Sequence, residues 1–214
     1  MSNNPFESPY NQPAAHPEQA SKPFPGSALA ISIICLILGI LGLFGLCFQG
    51  LALGFQSSLM EFANSMPQPP AQREFNRLNI DAQQSMLAPW IVLMVINAFV
   101  ALMLVVGAVG CLQRKSSGRS TLRLGILLAI FYSILKLAVT IISYFVTTSS
   151  VKKGISEYQG EAPIAELQAL VQAQNIGTIV GCSMTSLFIV ALVVFYIWSR
   201  SYMGKAELDP YFTS

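Results

Sequence analysis

The feature that most constrains this chain is a set of four long apolar blocks separated by polar segments. The first block lies in a stretch that has no charged residue between Lys22 and Glu61. A helix needs about 20 apolar residues to cross the hydrocarbon core of a bilayer, and every block reaches that length. We therefore expect four transmembrane helices, over residues 28–55, 89–112, 122–146 and 176–198.

The charges of the chain exclude several classes of protein. Charged residues make up 10% of the sequence, against roughly 25% in a soluble globular domain. The formal net charge of +2 is small and its cations are scattered, so we expect no nucleic-acid partner. The one histidine, His16, lies in a polar tail, and no catalytic, cofactor or metal-binding motif is recognisable. We expect no enzyme activity, cofactor or metal.

The domain organisation follows from the same pattern. Residues 1–26 contain six prolines and almost no aliphatic residues, so we expect a disordered, Pro-rich cytoplasmic arm. Residues 27–200 form the predicted transmembrane domain, and residues 201–214 form a short cytoplasmic tail. The fold class is therefore an all-α integral membrane four-helix bundle.

Two loops between the spans contain amphipathic segments. Residues 71–86 place Phe75, Leu78 and Ala82 at helical spacing, opposite charged residues. A second segment begins at Pro163 and places Ile164, Leu167, Leu170 and Val171 on one side. Both patterns predict amphipathic helices on the membrane surface. The second helix can also continue without a break into the fourth span.

The distribution of cations predicts the orientation. With both termini on one side, that side carries seven Lys or Arg residues, three of them in the loop between the second and third spans. The opposite side carries four, beside six carboxylates. Both termini should therefore face the cytoplasm, and the two longer loops should face outward.

One ionisable residue, Lys136, lies near the middle of a span, where a cation costs about 2.5 to 3.5 kcal/mol on insertion scales. At 100° per residue it belongs to a polar stripe that should face protein or water. Candidate uncharged partners are Asn97 and Gln49 on other spans and the hydroxyls of Tyr132 and Thr140 on the same stripe. Whether the lysine is charged stays open. The polar stripe consists of Tyr132, Ser133, Lys136, Thr140, Ser143 and Tyr144.

Two spans carry small residues at spacings that suit close helix packing in lipid. Such faces can serve contacts within one chain, the more common use, or contacts between chains. The candidate packing glycines are Gly39, Gly42, Gly50 and Gly54 in the first span and Gly177 and Gly181 in the fourth.

The beginning of the chain, NPFESPYNQP followed by SALAISIICLILGILGLFGL, resembles a group of uncharacterised bacterial membrane proteins that is common in planctomycetes. In that group an Asn/Pro-rich arm precedes a glycine-rich first helix. The similarity covers about the first 55 residues. It implies a location in the bacterial inner membrane and no particular activity.

Two functions fit these observations. The first is a non-enzymatic membrane protein that acts by helix association, as a scaffold or assembly component, with the lipid bilayer and a second copy or another membrane protein as partners. The alternative is a small transporter or channel component that uses the polar stripe around Lys136. An ionisable residue inside a membrane is often functional, which keeps the alternative open.

Overall fold

The computed structural model describes residues 23–65, 69–157 and 163–212, and within the first helix it describes the side chains up to residue 51 and at residue 55. Most of the predicted arm therefore lies outside the described residues. The prediction of an all-helical chain with four long apolar helices is confirmed in these ranges. The elements are α1 (Gly26–Ser65), α2 (Pro70–Ser85), α3 (Leu87–Leu112), α4 (Ser116–Ser156), α5 (Ile164–Met203) and a 3₁₀ helix, η1 (Ala206–Tyr211).

The four predicted spans lie within α1, α3, α4 and α5, each of which is long and apolar enough to cross a membrane. α4 has 41 residues and α5 has 40. At 1.5 Å per residue each is about 60 Å long, about twice the thickness of the hydrocarbon core. Both helices therefore extend beyond the apolar region, and the amphipathic segment after Pro163 continues into the fourth span without a break.

α3 and α4 form an antiparallel hairpin with a three-residue connection. Its middle residue, Arg114, has a φ of 59°, which lets the chain reverse at once. Backbones approach closely beside this turn: a Cβ atom on Gly110 would lie 2.6 Å from the Cα of Gly118. A Cβ on Gly107 would lie 2.6 Å from the Cα of Leu122. Only residues without a side chain allow this spacing, so glycine fixes the hairpin.

The main core lies at the end of the molecule where α1 begins, α3 ends, α4 begins and α5 ends. α1 packs on α3, α3 on α4 and α4 on α5, whereas α1 and α5 make few contacts. The buried residues come from all four helices. They include Ala28, Ile31 and Cys35 of α1, Leu104, Ala108 and Cys111 of α3, Leu122 and Ile126 of α4, and Tyr196 and Met203 of α5.

Toward the opposite end, α1 loses its neighbours. Gly39 and Gly42 still contact Val105 and Ala101 of α3, but a Cβ on Gly45 would meet nothing within 4 Å. One turn further, Phe48 is 69% exposed. The bundle is thus packed at one end, and in the described part of α1 it opens toward the other.

A second, smaller core lies at that open end. Ala71 and Ala82 of α2 are buried there with Val151 of α4 and with Leu167 and Val171 of α5. The apolar face of α2 and the apolar face of the segment after Pro163 therefore pack against each other and against α4. The sequence pattern predicts these faces on the membrane surface. In the structure they pack in part between helices, because the long extensions of α4 and α5 offer an apolar partner beside α2, while Ile164 at the start of the second face is 51% exposed.

Candidate polar cavity and helix-association faces

The predicted polar stripe runs along one face of α4. Ser133 is buried, and its hydroxyl donates to the carbonyl oxygen of Ala129 at 2.7 Å. The hydroxyl of Thr140 donates to the carbonyl oxygen of Lys136 at 2.8 Å. The remaining members, Tyr132, Lys136, Ser143 and Tyr144, are half-buried. On the other side of the helix Leu135, Ile141 and Ile142 are exposed, so the stripe is turned toward the protein.

The C-terminal half of this stripe lines a cavity of about 260 Å³. Thr140, Ser143 and Tyr144 form one wall. The facing wall comes from α5, and single residues of α2 and α3 complete the lining. These further lining residues include Gln174, Asn175, Thr178 and Cys182 of α5, Gln83 of α2 and Trp90 of α3. The cavity therefore lies between α4 and α5, beside the second core.

The cavity offers hydroxyls and amides and no charged side chain among its described lining residues. The hydroxyl oxygen of Ser143 is buried and has no hydrogen-bond partner in the described part of the chain. Gln174 is fixed, because its Nε2 donates to Oδ1 of Asn79 at 2.8 Å and so joins α5 to α2. Such a lining can both donate hydrogen bonds to a small uncharged polar molecule and accept them from it.

Lys136 lies one helical turn from Thr140 and is not among the residues that line this cavity. Its Nζ makes no hydrogen bond or ion pair with the residues described here. Among the expected uncharged partners, Gln49 is exposed and Asn97 faces Gly42 of α1. On the stripe itself, Thr140 donates to the backbone carbonyl of Lys136, and Tyr132 makes no hydrogen bond with its Nζ in the described part of the chain. The structure thus keeps Lys136 beside the polar cavity but gives its Nζ none of these partners.

The candidate packing glycines fall into two groups. Gly39 and Gly42 lie in the contact between α1 and α3, whereas Gly50, Gly177 and Gly181 meet nothing within 4 Å. The surroundings of Gly54 lie outside the described residues. Gly177 and Gly181 are exposed on α5, and Met184 and Phe188 continue the same face at 67% and 61% exposure. Gly39 and Gly42 therefore pack within the bundle, whereas the face of Gly177 and Gly181 is open.

The glycines that hold α3 against α4 were not among the candidates. Gly125 adds to this contact, since its Cβ would lie 3.2 Å from the backbone of Met103. The spacing of these glycines in the sequence is a signal for this contact: Gly107 and Gly110 are three residues apart, and Gly118 and Gly125 are seven apart. Both separations keep two residues on one helix face.

Comparison of the chain with protein-family models, with curated proteins and with solved structures finds no match.

Proposed function

We propose that this chain is a non-enzymatic membrane protein that acts by lateral association, and that two copies meet through α5. The observation that carries the proposal is the open face of Gly177 and Gly181, where an added Cβ would meet nothing within 4 Å. The two glycines are four residues apart, the spacing at which small residues let two helices approach backbone to backbone.

Physical chemistry favours a partner at this face. Lipid tails are as apolar as leucine, so helices associate in a bilayer by close packing and hydrogen bonding rather than by hydrophobic burial. Within the chain α5 packs mainly on α4, and its side chains Ile176, Val180 and Leu187 are more than half exposed. A second copy is the natural occupant, since the glycine pair on one α5 is complementary to the same pair on another.

The proposal can be tested by energy transfer between donor-labelled and acceptor-labelled full-length protein in dilute phosphatidylcholine vesicles. The double substitution Gly177→Ile/Gly181→Ile should weaken association at least tenfold, because two branched side chains separate the backbones. Ser183→Ile is the matched control: Ser183 is exposed and lies about 200° around the helix from Gly181. Equal transfer in wild type and the double variant would refute the proposal.

The orientation belongs to the same proposal. Both termini are placed in the cytoplasm by the excess of cations on their side, and the second core of α2, α4 and α5 then lies outside the hydrocarbon region on the opposite side. Location in the bacterial inner membrane rests on the resemblance of the first 55 residues. The charged face of α2, which carries Arg73 and Arg77, remains free to rest against lipid headgroups.

A second candidate function is supported by the cavity of about 260 Å³. Its polar, uncharged lining and the unpartnered hydroxyl of Ser143 favour the binding of a small polar solute. Lys136, one turn deeper, would then lie on the route into the bundle. Solute uptake into vesicles that depends on both Lys136 and Ser143 would support this candidate over association alone.

A further inference from the structure

A second feature of the molecule is a cleft of about 480 Å³ between the beginning of α4 and the end of α5. Three cationic side chains line it: Arg123 from α4, Arg200 from the last turn of α5, and Lys205 from the segment that follows. None of the seven residues described in its lining is acidic. The cleft therefore concentrates positive charge from three separate parts of the chain.

No carboxylate in the described part of the chain neutralises these three cations. In the ranges that the structure describes, none of them belongs to an ion pair. The neighbouring carboxylate of Asp209 is held instead by Arg119, and Glu207 is exposed and does not line the cleft. The ammonium of Lys205 lies 5.4 Å from the centre of the Tyr202 ring, which leaves its charge in place.

Two isoleucines add an apolar part to the lining of the cleft. Ile130 lies two turns further along α4 than Arg123, and Ile197 lies about one turn before Arg200 on α5. Ile197 is 55% exposed. Trp198, which is half exposed, stacks on Tyr202 at 6.0 Å between ring centres. Tryptophan and tyrosine are both enriched at the membrane–water boundary. The cations of the cleft therefore lie at the membrane–water boundary, and its apolar lining extends from there toward the hydrocarbon core.

We propose that this cleft binds one anionic phospholipid, with the phosphate held by Arg123, Arg200 and Lys205 and an acyl chain lying along Ile130 and Ile197. A guanidinium can hold two phosphate oxygens at once, and two guanidinium groups face the cleft. A soluble phosphate would use the three cations alone. Ile130 and Ile197 give the acyl chain of a lipid an additional apolar contact that a soluble anion lacks.

The test measures binding of phosphatidylglycerol and of phosphatidylcholine to the full-length protein by native mass spectrometry from detergent micelles. Wild type should prefer phosphatidylglycerol. A basic residue near the membrane surface contributes about fivefold in affinity, so Arg123→Gln/Arg200→Gln should lower phosphatidylglycerol binding about 25-fold. The control Arg114→Gln/Lys115→Gln removes the same charge from the adjacent loop and should lower it less than threefold.

A second variant keeps the test decisive if the double substitution impairs folding. Ser201 lines the cleft and is exposed, so Ser201→Glu adds a carboxylate without disturbing the core, and Ser201→Gln is its neutral counterpart. Loss of phosphatidylglycerol binding in Ser201→Glu alone supports the proposal. Equal losses in the cleft and loop variants would overturn it, as would displacement of the lipid by glycerol 3-phosphate at the same concentration as phosphatidylglycerol.

Discussion

The Nε of Arg119, near the beginning of α4, donates a hydrogen bond of 2.8 Å to the carbonyl oxygen of Met203, the last residue of α5. Nη2 of the same guanidinium donates to the carbonyl oxygen of Lys205 at 2.7 Å, and Nη1 contacts the carboxylate of Asp209. The last carbonyls of a helix lack partners within that helix. Arg119 therefore caps α5 from a different helix and fastens the C-terminal segment to the bundle.

This arrangement predicts unequal effects at the two ends of the ion pair. The Arg119 side chain is 11% exposed and that of Asp209 is 67% exposed. Arg119→Ala should lower the free energy of unfolding by about 2 to 3 kcal/mol, because the carbonyls of Met203 and Lys205 lose a charged donor. Asp209→Asn should cost less than about 1 kcal/mol, as for other exposed ion pairs. Thermal unfolding in a mild detergent measures both, and equal losses would contradict the capping role.

The glycine contact between α3 and α4 predicts opposite signs for two identical substitutions. Gly118→Ala should destabilise the protein by about 1 to 2 kcal/mol, because the added methyl group meets the backbone of Gly110 and Cys111. Gly45→Ala should leave stability unchanged or raise it by up to about 1 kcal/mol, because its position is open and alanine favours the helix. Denaturant unfolding of the two variants compares them directly. Stabilisation by Gly118→Ala would show that the backbones are further apart.

The unpaired position of Lys136 predicts that the lysine does not stabilise the bundle. Lys136→Met removes the cost of a cation near the middle of a span, about 3.5 kcal/mol at most, so thermal stability should stay equal or rise. Self-association should not change. Lys152→Met, at an exposed position outside the predicted span, is the control and should have no effect. A clear loss of stability in Lys136→Met alone would mean that Nζ has a partner in the folded protein.

The orientation predicts which loops an impermeant thiol reagent reaches in intact cells. With the four native cysteines replaced by alanine, Ser156→Cys at the end of α4 should react from outside, whereas Ser117→Cys at its beginning should not. Both residues are exposed, so access depends on the side of the membrane alone. Permeabilised cells provide the control, since both positions should then react. Labelling of Ser117→Cys alone in intact cells would reverse the orientation.

The four spans could be predicted from the sequence because apolar length is a property of each segment by itself. That the polar stripe faces the protein could also be predicted from the sequence of α4 alone. At 100° per residue, Ser133 and Thr140 lie on the same side of the helix as Lys136. The contacts between helices could not be predicted in this way. Gly39 and Gly177 occupy similar small-residue patterns, yet one meets Val105 and the other meets nothing within 4 Å.

The second core and the cap on α5 could not be predicted for the same reason, because both depend on contacts between helices. The periodicity of residues 71–86 predicts an apolar face but not its partner. Such a face can be buried equally well against a bilayer or against another helix. The structure supplies a partner because α4 and α5 continue well beyond the length needed to cross the bilayer. From the sequence alone, Arg119 is one of the three cations between the second and third spans that predict orientation. Its contact with a segment more than 80 residues away leaves no local trace in the sequence.

The most direct test of association through α5 is disulfide cross-linking in native membranes, in a chain whose native cysteines have been replaced. Met184 follows Gly181 by one turn on the open face, and Ser183 points about 200° away from Gly181. If two copies meet at the glycine pair, mild oxidation should convert Met184→Cys to a covalent dimer and leave Ser183→Cys monomeric. Equal cross-linking at both positions, or dimer formation at Ser183→Cys alone, would contradict the account.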